Sequence, residues 1–109
     1  MLQQSYRHIE VLILDNNSSD ETVRVVQSFD DVRIKLFTKK VNLGAYGGIN
    51  FLLEKASGDF MAVQDHDDLW HPQKLALQIK VLEDRKNILA CGANHIEFFE
   101  KEQIYYAKP

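Results

Sequence analysis

The chain has one cysteine, Cys91, in 109 residues, so no disulfide can close within it. That cysteine stands inside "ILACGA", where a small buried hydrophobe is the expected role. A lone thiol also fits a reducing cytoplasm. Positive charge is short as well. Against 16 Asp and Glu there are 13 Lys and Arg, a net charge of −3, which argues against a nucleic-acid groove and against a polybasic membrane anchor. No apolar run approaches the roughly 20 residues of a membrane span, and the opening "MLQQSYRHIE" has no signal-peptide character. Internal repeats, low-complexity tracts and linkers are all missing. What remains is a single domain, residues 1–109, with a hydrophobic fraction of 45% that suits a soluble core. A chain of this length buries roughly two-thirds of its unfolded surface, so it folds without much margin.

What is present is an alternation of periods. "IEVLILD" (Ile9–Asp15) reads as a strand buried on both faces, because Val11 to Leu14 is unbroken apolar sequence. Ser18 and Glu21 have capping-box spacing and predict a helix that turns Val25, Val26 and Phe29 inward. "VRIKLF" (Val32–Phe37) alternates with period two, as a half-exposed strand does. After a glycine-rich stretch, Ile49, Leu52, Leu53 and Ala56 fall on one helical face, and Gly58 is a good stop. "DFMAVQ" predicts the next buried strand. Pro72 then suits a first helical residue, with Leu75, Ile79 and Leu82 as the apolar stripe. "NILACGA" predicts a further strand, and "HIEFFEKEQIYYA" a strand pair turning near Glu100–Glu102. The order β-α-β-α-β-α-β predicts an α/β fold, a mostly parallel sheet with flanking helices.

Open α/β sheets bind ligands outside the carboxyl ends of their strands, and two acidic loops fall there. The first is "LDNNSSDE", where Asp15, Asn16 and Asn17 are either turn formers or ligand contacts. The second is "QDHDDLW". A turn needs one aspartate, whereas Asp65, Asp67 and Asp68 accumulate repulsion that a divalent cation would relieve. Oxygen ligands on a short loop are what Mg²⁺ or Mn²⁺ prefers, with phosphates completing the shell. If the strand runs on through Asp67, then Asp65 and Asp67 share a face and Asp68 points away. That makes Asp67 and Asp65 the candidate metal ligands. His66 lies off that face, either as a further ligand or as an exposed or backbone-bonded histidine. A calcium loop starting at Asp65 would need glycine and glutamate where Trp70 and Ala76 stand, so it is excluded. In "NLGAYGGIN", Gly44, Gly47 and Gly48 lie where a helix begins. There glycines either let backbone N–H groups approach an anion or serve packing. Their spacing is neither Rossmann nor Walker.

"EVLILDNNSSDET", "NLGAYGGIN", "ASGDF" and "QDHDDLWHPQKL" stand in the order and rough spacing of the family 2 glycosyltransferases with the GT-A fold, which the chain resembles from about Gln3 to the Ile88–Ala93 strand. The resemblance implies a Rossmann-like GT-A domain that binds a nucleotide-sugar donor, a UDP or dTDP sugar, for transfer to an acceptor hydroxyl with inversion. It further implies a cytoplasmic enzyme at the inner face of a membrane, working in cell-surface polysaccharide synthesis. Asp67 matches the metal-coordinating residue of the family's Asp-x-Asp motif and Asp65 its partner facing ribose and diphosphate. Asp15 and Asn16 match the pair that faces the base, and Gly44 and Gly48 belong to the donor site. The implied cofactor is Mn²⁺ or Mg²⁺, which neutralises the leaving diphosphate.

The chain also departs from the family pattern. Asn16 stands where many members carry a second acid, and it offers a pyrimidine edge one donor group and one acceptor. Ile49 replaces a common arginine, so that "GGIN" resembles the form in rhamnosyl- and galactofuranosyl-transferase-like relatives. The family's opening strand, its catalytic base and its acceptor-binding segment have no counterpart in these 109 residues. The expectation is therefore a partial GT-A domain lacking the family's first strand, with no assigned catalytic residue. Such a domain is expected to be inactive alone: either it is cut from a longer protein, or a neighbouring copy closes the gap. The alternatives are a nucleotidyltransferase-like domain, which would want an Arg- or Lys-bearing glycine loop after the first strand, and a non-catalytic nucleotide-binding module. A haloacid-dehalogenase-type phosphatase would carry its Asp-x-Asp on the first strand and Thr or Val in place of Leu69.

Overall fold

The computed structural model describes residues 1–99 and 104–107. Its elements run β1 (Val11–Asp15), α1 (Thr22–Gln27), β2 (Ile34–Thr38), α2 (Gly44–Leu53), α3 (Lys74–Asp84), β3 (Ile96–Phe99) and β4 (Ile104–Ala107). This is an α/β chain of the expected class. β1 and β2 pair in parallel, Val11 opposite Ile34 through Asp15 opposite Thr38. β3 and β4 pair antiparallel, Ile96 opposite Ala107, as the strand pair read from the sequence requires. The turn expected near Glu100–Glu102 lies outside the described residues.

The parallel pair follows from its composition. Val, Ile, Leu and Phe fill the pleats, and the connection through α1 is what two parallel strands need. α2 lies against the pair. The Phe37 and Phe51 rings meet edge-to-face, 5.6 Å between centroids at 82°, and Lys39 Nζ stands 4.0 Å from the Phe51 centroid. Such contacts are worth about 0.5–1.5 kcal/mol beyond area burial.

Several expected features differ. α1 begins at Thr22, so Ser18 does not cap it. Asp20 instead accepts both the Thr22 N–H and its hydroxyl. The helix is one and a half turns long, and Val25 and Phe29 remain 54% and 55% exposed, because so short a helix has little face to bury. Val32 is also exposed and lies before β2. α3 starts at Lys74, with Pro72 in the turn preceding it. "DFMAVQ" and "NILACGA" are not strands. Each is apolar enough to be one, but a strand exists only where a neighbour supplies its ladder of hydrogen bonds, and none does so here. Phe60, Met61 and Val63 are consequently about half exposed.

A long-range bracket ties the N-terminal segment to α3. The Gln4 side chain, 2% exposed, donates from Nε2 to the His71 carbonyl at 2.8 Å and accepts the Leu75 N–H at Oε1, 3.0 Å. Ser5 N–H donates to the Pro72 carbonyl at 2.7 Å. Gln4 thus supplies the cap that Gln73 does not provide.

Candidate functional site

Asp15 ends β1 and is 7% exposed. Its Oδ1 accepts the N–H of Ser18, three residues on, at 3.2 Å, closing a turn that folds the chain back after the strand. Within that turn Asn17 adopts φ 74°, a left-handed conformation that asparagine tolerates better than most residues. The turn-forming reading of this loop therefore holds for Asp15 and Asn17.

Asn16 does something else. Its Oδ1 accepts the Leu43 N–H at 2.8 Å. Its Nδ2 donates to Asn42 Oδ1 at 3.1 Å and to the Gly44 carbonyl at 3.3 Å. Asn42 Oδ1 in turn accepts the Gly44 N–H at 2.7 Å. The loop after β1 and the start of α2 are thereby joined. Two glycines make the junction possible for different reasons. Gly44 has φ 70°, and an added Cβ there would meet nothing within 4 Å, so backbone conformation is what demands glycine. At Gly48 an added Cβ would lie 3.2 Å from Leu14 Cδ2 and 3.8 Å from Asn16 Nδ2. Space is the demand there, and it lets α2 approach the end of β1.

The acidic loop is a turn, not a strand end. The Asp68 N–H donates to the Asp65 carbonyl at 3.2 Å, and Gln64 Nε2 donates to the Asp68 carbonyl at 2.8 Å. The alternation used to put Asp65 and Asp67 on one face does not operate in such a turn. Asp65, His66, Asp67 and Asp68 are all exposed. Among the described residues no hydrogen bond or ion pair joins this turn to the Asn16–Gly44 junction. The structure brings Asp15, Asn16, Gly44 and Gly48 together, and no described bond ties Asp65 or Asp67 to them.

The donor set still fits a hard divalent cation in part. Asp65 and Asp67 offer two carboxylates on one exposed turn, and Mg²⁺ or Mn²⁺ takes few protein ligands when phosphates supply the rest. Beside them the buried Gln64 Oε1 has no partner. No group of three or more His, Cys, Asp or Glu converges among the described residues, so the turn does not form a closed cage by itself.

Sequence reasoning missed Asn42, Gln4, Gln64 and Glu10. Asn42 had a signal, an asparagine two residues before a glycine, the spacing of an Asx turn. The other three act across distances or in ways that no local pattern encodes. Glu10 Oε1 accepts the Ser57 N–H and hydroxyl, at 2.6 and 2.9 Å, while Oε2 accepts Lys35 Nζ at 2.7 Å. These bonds, led by Lys35, hold its carboxyl down to about 2 from the ordinary 4.5.

The turn at the end of β1 is bonded to a glycine-rich helix start at one end of a parallel pair, the edge at which open α/β sheets receive ligands. Comparison with known proteins goes further. The family described as Glycosyl transferase family 2 matches residues 1–109. The chain belongs to family 2 of the glycosyltransferases, whose members generally use a divalent metal. It is 44% identical, over 95% of its length, to the UDP-Glc:alpha-D-GlcNAc-diphosphoundecaprenol beta-1,3-glucosyltransferase WfgD of Escherichia coli. It is 34% identical over 92% to the putative glycosyltransferase EpsE of Bacillus subtilis (strain 168). To a second Escherichia coli glucosyltransferase of the same description, WfaP, it is 33% identical over 88%. The matched stretches cover 40%, 37% and 38% of those relatives' own lengths. No helix among the described residues is long and apolar enough to cross a membrane.

Proposed function

We propose that this chain is the donor-binding part of a glycosyltransferase that moves a sugar from a UDP- or dTDP-type nucleotide sugar to an acceptor hydroxyl, with inversion. The observation that carries the reading is the junction of the β1 turn with the α2 start at one end of the parallel pair. That is where an α/β sheet receives a nucleotide. Asp15, Asn16, Gly44 and Gly48 form the nucleotide side of this site, and Asp65 faces the ribose and diphosphate. Gly44 leaves the space around it open to a diphosphate, and Gly48 lets α2 close on the end of β1 behind it. Asp67, with Asp65, would hold Mn²⁺ or Mg²⁺. Such an ion supplies positive charge to the departing diphosphate. In the transfer the acceptor oxygen bonds to the sugar carbon as the bond to the diphosphate oxygen breaks on the opposite face. No residue of this chain is assigned as the base that takes the hydroxyl proton.

The relatives' printed substrates support UDP-glucose as donor and a sugar on a diphosphoundecaprenol lipid as acceptor, with work at the inner face of a membrane. The test is calorimetry of UDP binding with and without Mn²⁺. Mn²⁺ is expected to strengthen binding, and Asp67→Ala to abolish that enhancement while leaving metal-free binding in place. Undiminished metal dependence in Asp67→Ala would overturn the assignment. Absence of nucleotide binding in the unmodified chain would overturn the donor-site reading itself.

A further inference from the structure

Asn16 stands at the position expected to face a base, yet its amide is spoken for by the chain. Both Nδ2 hydrogens are used, one on Asn42 Oδ1 and one on the Gly44 carbonyl, and Oδ1 faces the Leu43 N–H. The amide cannot be turned over. A flip would set Nδ2 against the Leu43 N–H and Oδ1 against two oxygens, one of which already accepts the Gly44 N–H. We propose that Asn16 is a positioning residue, working with Asn42 as a paired amide clasp that fixes the Leu43–Gly44 backbone at the head of α2, and that it does not read the base. The proposal rests on the donor-site reading for its consequence in binding, but the clasp itself stands on the geometry alone.

The chemistry makes the two asparagines unequal. Asn16 must both donate and accept, so aspartate cannot replace it. Its carboxylate would face the Gly44 carbonyl and Asn42 Oδ1, oxygen against oxygen. Asn42 Oδ1 only accepts in these contacts, from Asn16 Nδ2 and from the Gly44 N–H, so aspartate serves there. A base-reading Asn16 would show no such link to residue 42. The clasp also explains why α2 is free to start on a left-handed glycine. Four bonds converge on residues 42–44 and hold this left-handed start of α2 in place.

The test has two arms on the full 109-residue chain. In the first, amide hydrogen exchange is read at Leu43 and Gly44 without ligand. Asn16→Ala, Asn42→Ala and Asn16→Asp are each expected to speed exchange there roughly tenfold, about the factor one net hydrogen bond is worth. Asn42→Asp is expected to retain slow exchange, and the double alanine variant to be no faster than either single. In the second arm, calorimetry compares UDP with GDP. Asn16→Ala and Asn42→Ala are expected to weaken both nucleotides by the same factor and leave their ratio unchanged. Loss of the UDP-over-GDP ratio in Asn16→Ala but not in Asn42→Ala would overturn the proposal, as would unchanged exchange at Leu43 in Asn16→Ala. If the unmodified chain binds neither nucleotide, the donor-site reading fails and the exchange arm still decides the clasp.

Discussion

At the entry to β1, the carboxylate of Glu10 serves two segments at once, Lys35 on the neighbouring strand and Ser57 beyond α2. Asp31 does a smaller version of this with Arg33, whose guanidinium and N–H hold that carboxyl at about 2. Both carboxyls lie lower in the folded chain than in the unfolded one. Their stabilisation is therefore complete above the ordinary value of 4.5 for Glu10 and 3.8 for Asp31, and is lost as pH falls toward 2. Urea midpoints taken at pH 5 and pH 3 should drop for the unmodified chain and drop less for Glu10→Gln. An equal drop in the variant would reject the assignment. At this scale the sequence was legible where a residue bonds its near neighbours. Asp15 and Asn17 declare a turn by type. Asn16 declares a site but not its partners, because those stand 26 to 28 positions on and depend on α2 packing beside β1.

Among the elements, β1, β2, α2, α3 and the β3–β4 pair were legible because each satisfies most of its backbone locally or with the next strand along. Phe60–Gln64 and the run around Leu89–Gly92 were not. Apolar runs report a capacity to be buried, while strand formation depends on a partner that no run of residues specifies. α1 shows the opposite limit, where Asp20 took the capping role that spacing had assigned to Ser18. α3 is the element most exposed to a single change. Gln4→Ala would strand the buried Leu75 N–H and leave the part-buried His71 carbonyl without its donor, at a cost of about 1–3 kcal/mol. A lower urea midpoint with unchanged slope is the expected result, and a midpoint equal to that of the unmodified chain would show that the bracket carries no weight. Gln4→Glu keeps an acceptor for the Leu75 N–H but buries a carboxylate against the His71 carbonyl oxygen, so at neutral pH it should lower the midpoint at least as far as alanine does.

Over the whole molecule, burial is thin. The accessible surface is 9225 Å², against about 6,200 Å² for a compact monomer of this mass. The Cα radius of gyration is 15.7 Å, against about 13 Å for a compact chain of this length. Leu75 is the one buried apolar side chain among the described residues. Among the described residues β1 pairs only with β2, so one of its edges has no strand beside it there, and Phe60, Met61 and Val63 lie half exposed. Such surface is covered by association when nothing else covers it. Sedimentation of the 109-residue chain should therefore show a dimer or larger species, and lysines at Phe60 and Val63 should shift it toward monomer. A monodisperse monomer for the unmodified chain would refute this.

The Gln4 bracket also orders events in time. Its bonds join positions 67 and 71 residues apart, whereas those of the Asn16 clasp span 26 to 28. Closing the longer loop costs about 0.9 kcal/mol more in chain entropy, and it is rewarded only after β1 and the start of α3 already exist. On loop length alone, the clasp is expected to form before the transition state and the bracket after it, as α3 docks. Contacts absent from the transition state govern how long the native state lasts, not how fast it forms. Gln4 is thus a latch on lifetime: its loss would steepen escape from the native state, visible in the unfolding limb of a chevron, and leave the refolding limb where it was.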